Sequence, residues 1–343
     1  MIGWRARLEA VAVHLPERWV PLGEREEQID IASKSFTPPR GLVTQLTGVR
    51  GVHLAGPNEQ PSALAVHAAR KALADSGVSP DDIDLLIFAS SSQDMVEPAT
   101  SHMVADQLGV SCPAFDVKNA CNSVLNAIEV CQALLNGASP YRRALITCGE
   151  TPSRATRLAV PDPAAFTRAF PSYGFSDAGA ALLFSTVRAT EGAPGVLGCR
   201  FAADSSAWPC ATLLYGGSAS LAEPDEEHRY FRMDSARLRQ SMHVLVPRVF
   251  TLLGDLGLTA GELAFVGVHQ VMSRDAQDLC DAGVGVDERQ LIATLPDHGN
   301  VAAASLPLQL TRALAEGRAH PGDLVALLGM AAGSSAGLVV LRL

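Results

Sequence analysis

The chain has 343 residues, 48% of them hydrophobic, and a formal net charge of −9 at pH 7. This length and hydrophobicity exclude intrinsic disorder, and an acidic chain without a basic run argues against nucleic acid as a partner. The seven cysteines are odd in number and contain no C-x-x-C pair, which favours reduced thiols over disulfides or a metal cluster. The N-terminal residues lack a signal-peptide core. We therefore expect a cytoplasmic protein with no bound metal.

Helices and apolar strands alternate along the first half of the chain. Apolar spacing predicts a helix over about 62–76, a strand at 85–88, a helix over about 121–136, and strands at 144–147 and 180–184. The segment 151–174 is rich in Pro, Arg and Phe and interrupts this order. We interpret it as an excursion that caps a site.

The second half repeats the pattern at an offset of 180 residues, so that Gly77 lies over Gly257 and Gly137 over Gly317. Its predicted elements are a helix over about 241–256, a strand at 265–268, a helix over about 302–316, and strands at 324–327 and 338–341. Two duplicated halves of this kind predict an α/β fold with pseudo-symmetric units over 1–185 and 186–343.

One uncharged stretch, residues 324–341, requires a test against a membrane span. The glycines at 329, 333 and 337 divide it into two short apolar runs. Two strands joined by a glycine-rich turn fit this pattern better than a helix does. We therefore predict no membrane span.

Cys121 follows a short predicted strand and begins a predicted helix, where free N–H groups and the helix dipole favour a thiolate. The equivalent junction of the second half contains Asn300, and the strand before it ends at His269. Equivalent junctions of two pseudo-symmetric halves meet near their twofold axis, so we expect the three side chains to converge. A Cys with His and Asn fits acyl transfer through a thioester, with two donors for a developing oxyanion.

Two hydrolase patterns compete with this interpretation. Papain-like proteases use the same three residue types, but the sequence lacks their C-G-x-C-W signature and the α/β pattern is wrong for that fold. Residues 333–337 match the serine-hydrolase motif G-x-S-x-G, but a strand and not a helix is predicted after them. We interpret 329–337 as a glycine loop whose backbone approaches the active site.

The chain resembles the β-ketoacyl-ACP synthase III group of thiolase-fold condensing enzymes over nearly its whole length. The matching stretches are T-G-V-R at 47–50, P-A-F-D-V-K-N-A-C-N-S at 113–123, G-F-S-D-A-G-A-A at 174–181, V-H-Q at 268–270, H-G-N-V-A-A-A-S at 298–305 and the glycine loop at 329–337. The resemblance implies a five-layer αβαβα sandwich, a homodimer, and neither a metal nor a redox cofactor.

The resemblance also implies a mechanism. It makes Cys121 the nucleophile, which takes an acyl group from acyl-CoA or acyl carrier protein, and it makes His269 and Asn300 the decarboxylation donors. Backbone N–H groups of Cys121 and of the loop at Ala332 and Gly333 bind the oxyanion. Malonyl-carrier protein or malonyl-CoA then loses CO2, and the carbanion attacks the thioester to give a β-ketoacyl product.

Several positions depart from the pattern usual in housekeeping members of this group. Met272 replaces a residue that is usually polar. Ser334 replaces an aromatic residue that usually shapes the malonyl pocket. Glu97 replaces a residue near the dimer boundary that is usually apolar. Arg274 matches a basic residue near the pantetheine entrance. We expect these four residues to bind substrate and the protein to be a specialised member, in secondary metabolism.

Two reactions stay open on these residues. Decarboxylative condensation is favoured because His269 and Asn300 are both present. Transfer of the acyl group from Cys121 to a hydroxyl or amine, without decarboxylation, is favoured by the changes at Met272 and Ser334.

Overall fold

A computed structural model describes residues 3–222 and 225–343 of the chain. The strands are β1 (Trp4–His14), β2 (Trp19–Pro21), β3 (Gly51–His53), β4 (Leu85–Ala89), β5 (Ala114–Val117), β6 (Arg143–Glu150), β7 (Ala178–Arg188), β8 (Gly195–Ala203), β9 (Ala211–Thr212), β10 (Arg232–Met233), β11 (Phe265–Val268), β12 (Leu324–Ala331) and β13 (Ser335–Arg342). The α-helices are α1 (Leu22–Ala32), α2 (Leu42–Thr47), α3 (Pro61–Ser76), α4 (Thr100–Leu108), α5 (Ser123–Leu134), α6 (Pro163–Ala169), α7 (Ser218–Ala222), α8 (Ser235–Asp255), α9 (Asp275–Asp281), α10 (Leu295–His298) and α11 (Ser305–Ala315).

Two sheets carry the fold, and four strands of the first have counterparts in the same order in the second. The first runs β1-β7-β6-β4-β5, with β4 parallel to β5 and β6, and β7 antiparallel to β6 and β1. The second runs β11-β12-β13-β8, with β11 parallel to β12, and β13 antiparallel to β12 and β8. The strands β8, β13, β12 and β11 thus repeat β1, β7, β6 and β4, and the predicted duplication is confirmed.

The helices and sheets form five layers. Helix α3 packs on β1, β6 and β7, and α4 packs beside it on β4 and β5. Helices α5 and α11 lie between the sheets, because α5 contacts β4, β6 and β13 while α11 contacts β1, β7, β11 and β12. Helix α8 covers the far side of the second sheet on β8 and β13. The αβαβα sandwich that the resemblance implied is confirmed.

The central layer is almost closed to solvent. Val124, Leu125 and Ile128 of α5 and Leu306 and Leu310 of α11 are each at most 2% exposed and belong to one apolar cluster. Strand β4 is buried at every position, which explains why its sequence is a continuous apolar run and not an alternating one.

The chain leaves the first sheet and enters the second through one connection. Strand β7 continues to Arg188 and β8 starts at Gly195, so the crossing between the predicted halves occupies residues 189–194.

The uncharged stretch 324–341 forms β12 and β13, which pair Gly329 with Gly337. Over the described parts of the chain, no helix is both long enough and apolar enough to cross a bilayer.

The excursion at 151–174 packs into an apolar cluster that it shares with α1 and the neighbouring segments. Val160, Phe166 and Tyr173 are buried there with Leu22 and Ile29 of α1. Residue Pro171 of this segment also lines the cavity that is described below.

Glycines allow the first sheet to approach α3 closely. A Cβ at Gly179 of β7 would lie 1.9 Å from the Leu64 carbonyl oxygen, and backbone atoms cannot rotate away. We expect Gly179→Ala to lower the free energy of unfolding by roughly 1–3 kcal/mol or more, measured by urea unfolding. The control is Gly254→Ala in α8, where nothing lies within 4 Å of the new Cβ and we expect no loss. Equal effects in both variants would contradict the proposed close approach.

Candidate active site

Cys121 lies in a tight turn between β5 and α5. Ala120 has a φ of 46°, and Ser123, the first residue of α5, donates its hydroxyl to the Ala120 carbonyl at 2.7 Å. The Ser123 hydroxyl also accepts the Asn119 N–H at 2.9 Å. The cysteine is therefore held two residues ahead of the helix, and the predicted helix start at 121 was wrong by this amount.

The second half repeats this turn. Ala302 has a φ of 48° and stands three residues before Ser305, as Ala120 stands three residues before Ser123. Left-handed φ values are uncommon for residues other than glycine. Their recurrence just before α5 and just before α11 supports the predicted equivalence of the Cys121 and Asn300 regions, although no strand precedes α11 as β5 precedes α5.

The Cys121 thiol is harder to ionise than the helix position suggested. Burial, followed by the charge of Glu150, raises its pKa to about 12. Glu150 ends β6, is fully buried, and accepts hydrogen bonds from the backbone and hydroxyl groups of Ser91 and Ser92 at 2.6–3.2 Å. A helix dipole contributes only about 0.3–1 kcal/mol in most settings, which is less than the desolvation of a buried thiolate costs. The direction is opposite to the lowering that the helix position predicted.

Asn122 joins this turn to the glycine loop of the second half. Its Nδ2 donates to the Ser335 carbonyl at 3.1 Å and to the Ser335 hydroxyl at 3.0 Å. Gly329 makes the contact possible, since a Cβ there would lie 1.9 Å from Asn122 Oδ1. Ser335 directly follows the turn that contains Ala332 and Gly333, so the predicted oxyanion loop is fixed relative to Cys121.

Asn300 presents the nitrogen of its side-chain amide. The residue is 3% exposed, and its Oδ1 accepts the Ala302 N–H at 2.9 Å. Its backbone is paired with the first half, since its N–H donates to the Gly174 carbonyl at 2.8 Å and its carbonyl accepts the Ser176 N–H at 3.0 Å. Because the amide oxygen is occupied, Nδ2 is the group left to donate to a ligand.

His269 follows β11 and is neutral. It is 2% exposed, and burial lowers its pKa to about 4. Its Nδ1 is buried with no hydrogen-bond partner among the described residues. A buried N–H without an acceptor is rarer than an unpaired acceptor, so we assign the proton to Nε2, which makes the ring a donor at that atom.

A cavity of about 380 Å³ opens beside His269, between α8, α9 and the ends of β11 and β12. Its apolar wall consists of Met233, Leu238, Met242, Val246, Met272, Leu279, Leu328 and Met330. Arg239 of α8 also lines it, with Nη2 at 3.7 Å from Met272 Sδ and Nε at 3.9 Å from Asp278. The size and apolar character suit part of a small-molecule substrate. The sequence did not predict that α8 residues line the cavity, because their helical spacing is the same as that of ordinary core residues.

The predicted substrate-binding residues fall in different places. Met272 lines the cavity, and Arg274 is exposed at its rim, where it pairs with the cavity residue Asp278 at 2.9 Å. Glu97 is exposed on the loop at 90–99. Ser334 is fully buried, 2.5 Å from the Ser241 hydroxyl oxygen, and it is not among the residues that line the cavity. Among the described residues, no three His, Cys, Asp or Glu side chains are placed to hold a metal ion.

The neutral His269 makes the folded protein sensitive to acid. The His269 ring takes up its proton near pH 6.5 in the unfolded chain but only near pH 4 in the folded chain. The contribution of the neutral ring to the free energy of unfolding is therefore fully present above pH 6.5 and is lost as the pH falls towards 4. The loss at pH 5 is about 2 kcal/mol. Between about pH 7.5 and pH 5, we expect the free energy of unfolding of His269→Asn to fall by about 2 kcal/mol less than that of wild type. Urea unfolding at both pH values measures this difference.

His102→Asn is the matched control, because this histidine is exposed on α4. It should follow the wild-type pH dependence. The same pH dependence in His269→Asn would show that the buried ring is not the cause.

Known proteins share both the sequence and the fold. Residues 253–343 match the family described as 3-oxoacyl-[acyl-carrier-protein (ACP)] synthase III C terminal. The chain is 32% identical to β-ketoacyl-[acyl-carrier-protein] synthase III of Rhizorhabdus wittichii over 96% of each chain. It is also 32% identical to the synthase III of Rhodospirillum rubrum, over 99% of this chain and 100% of that relative.

Among solved structures, the chain is similar to cerulenin-bound OleA of Xanthomonas campestris, with a TM-score of 0.87 at 23% identity over 100% of this chain and 98% of OleA. A cysteine-to-serine variant of OleA with bound lauric acid and lauroyl-CoA gives a TM-score of 0.86 at 23% identity over 99% of each chain. These likenesses show the shared fold. The full-length identity to the synthase III relatives goes further, and the chain belongs to the β-ketoacyl-ACP synthase III family of acyl-transferring condensing enzymes.

Proposed function

We propose that the chain catalyses a decarboxylative Claisen condensation between an acyl group on Cys121 and a malonyl thioester of carrier protein or CoA. The observation that carries this proposal is the presence of two oriented donors. Asn300 Oδ1 is occupied by the Ala302 N–H, which leaves Nδ2 to donate, and neutral His269 donates from Nε2 at the cavity wall.

In the first step, Cys121 Sγ attacks the acyl carbonyl of the donor thioester. The bond between the acyl carbon and the carrier sulfur breaks, and the thiol proton of Cys121 passes to the leaving thiolate. Backbone N–H groups of Cys121 and of the loop at Ala332 and Gly333 stabilise the oxyanion. The raised thiol pKa means that the proton leaves only as the new bond forms, so the free enzyme is not a reactive thiolate.

In the second step, the malonyl thioester enters through the cavity that His269 lines, and its carbonyl oxygen accepts hydrogen bonds from His269 and from Asn300, which lies outside the cavity lining. Loss of CO2 leaves an electron pair on the α-carbon, and the negative charge spreads to the oxygen that both residues contact. The carbanion attacks the acyl carbon on Cys121, the bond to Sγ breaks, and the thiolate takes up a proton. Donors directed at the developing charge stabilise this transition state selectively.

The competing reaction transfers the acyl group to a hydroxyl or amine. Met272 in the cavity wall still supports it. The second departure that favoured it, Ser334, contacts Ser241 in the protein interior, which weakens the case. We therefore place condensation first, by a specialised member of the family.

Mass spectrometry of the two half-reactions tests this function. Wild type should form an acyl-enzyme and release CO2 and a β-ketoacyl thioester, and Cys121→Ala should form no acyl-enzyme. We expect Asn300→Ala to keep acylation within a few-fold, while decarboxylation falls by roughly 100-fold, or about 2.7 kcal/mol. Asn136→Ala is the matched control, since Asn136 accepts the N–H two residues later at 3.0 Å in the same way but lies on the surface.

Two results would count against the proposal. An ester or amide formed by wild type without CO2 release would favour acyl transfer. Equal loss of both half-reactions in a folded Asn300→Ala protein would remove the division of roles.

We also propose that the protein acts as a homodimer. The loop at 90–99 exposes Met95 (48%) and Val96 (66%), and beside it lies the turn with exposed Tyr215 (65%). The two segments lie against each other, since a Cβ added at Gly216 would be 3.6 Å from Val96 Cγ2. Contiguous exposed apolar residues are typical of protein interfaces, and a partner there would bring Glu97 to the neighbouring pocket. Light scattering at micromolar concentration should give a dimer mass, and a fully active monomer would contradict the proposal.

A further inference from the structure

Two histidines beside the proposed catalytic residues contact each other ring to ring. Nε2 of His53 lies 3.2 Å from Nδ1 of His298, and the rings stack with centroids 5.4 Å apart at an interplanar angle of 24°. Nδ1 of His53 lies 2.9 Å from the Pro16 carbonyl oxygen. Neither ring lines the cavity at His269.

The protons of this pair follow from its partners. The Pro16 carbonyl only accepts, so Nδ1 of His53 carries a hydrogen and Nε2 of the neutral ring is an acceptor. Nδ1 of His298 must then donate to it. Burial lowers the pKa of both rings, which keeps them neutral at pH 7 and preserves this direction of donation.

The pair stands at the base of the loop that presents Asn300. Gly299 lies between His298 and Asn300 with a φ of 65°, and a Cβ there would lie 2.7 Å from the Gly174 carbonyl oxygen. A glycine restrains its own backbone least of all residues. The orientation of Asn300 therefore depends on what holds the residues on either side of Gly299.

The same segment of the first half holds both sides. The Ser176 hydroxyl accepts the His53 N–H at 2.7 Å, and the Ser176 N–H donates to the Asn300 carbonyl at 3.0 Å. The Asp177 N–H donates to the His53 carbonyl at 2.8 Å. His53 is thus fixed to the segment before β7 that also fixes Asn300, and its ring contacts His298.

We propose that the hydrogen bond from His298 to His53 positions Asn300 for decarboxylation. This inference rests on the proposed function and adds two positioning residues to it. Since both rings act through Asn300, their loss should affect the decarboxylation step and leave acylation of Cys121 nearly unchanged.

Two substitutions of equal size test the bond. Asn at position 298 places its Nδ2 donor where Nδ1 of histidine was, whereas Leu has the same shape without a donor. We expect His298→Asn to keep decarboxylation within a few-fold and His298→Leu to lose roughly 10- to 100-fold, because misplacing a catalytic group by about 1 Å costs this much. Acylation should stay within a few-fold in both variants, and His53→Leu should behave like His298→Leu.

A double-mutant cycle identifies the route. In an Asn300→Ala background, His298→Leu should cause little further loss if it acts through Asn300. Three results would each overturn the inference. His298→Leu could cause its full loss of decarboxylation in the Asn300→Ala background, His298→Leu and His298→Asn could decarboxylate equally well, or acylation could fall in parallel with decarboxylation. Absence of CO2 release by wild type would overturn the proposed function, and the inference with it.

Discussion

The site depends on the contact that Asn122 makes across the two halves of the chain. Its amide bonds to Ser335 at 3.0–3.1 Å, and the missing side chain of Gly329 gives it room. This is a contact of a side chain in the first half with the backbone of the second, one residue from Cys121. Together with the packing of α5 on β13, this contact fixes the spacing between the nucleophile and the glycine loop.

The three proposed catalytic side chains are uncharged. Cys121 is a thiol, His269 is an uncharged ring, and Asn300 carries no charge; the nearest buried carboxylate, Glu150, is held by Ser91 and Ser92. Three reacting side chains without charge favour reactions in which charge appears only in the transition state, while the charged residues of the cavity, such as Arg239 and Asp278, lie in its wall. Both steps proposed above have this property, and each is given its own donors: backbone N–H groups for acylation, and His269 and Asn300 for decarboxylation.

The sequence predicted the order of the elements and the duplication, because these rest on short-range spacing and on local motifs, while the catalytic roles of Cys121, His269 and Asn300 stay a prediction. It failed where distant residues decide the outcome. Burial of the Cys121 thiol, followed by the charge of Glu150 on β6, raises its pKa, whereas the helix N-terminus alone predicted a lowered pKa. Ser334 was expected in the substrate pocket, yet a hydroxyl of α8 binds it in the interior. The cavity wall and the contact of His53 with His298 arise from tertiary packing and leave no periodic signal.

The central layer has a consequence for how the protein unfolds. Helix α5 is encoded in the first half and α11 in the second, yet each packs against both sheets. Either half alone would expose an apolar helix surface and one whole face of a sheet to water, a cost that its remaining contacts could not offset. The duplicated units are therefore no longer independent domains. We expect a single cooperative transition in which the two halves lose their structure together, in spite of the symmetry that still marks their common pattern.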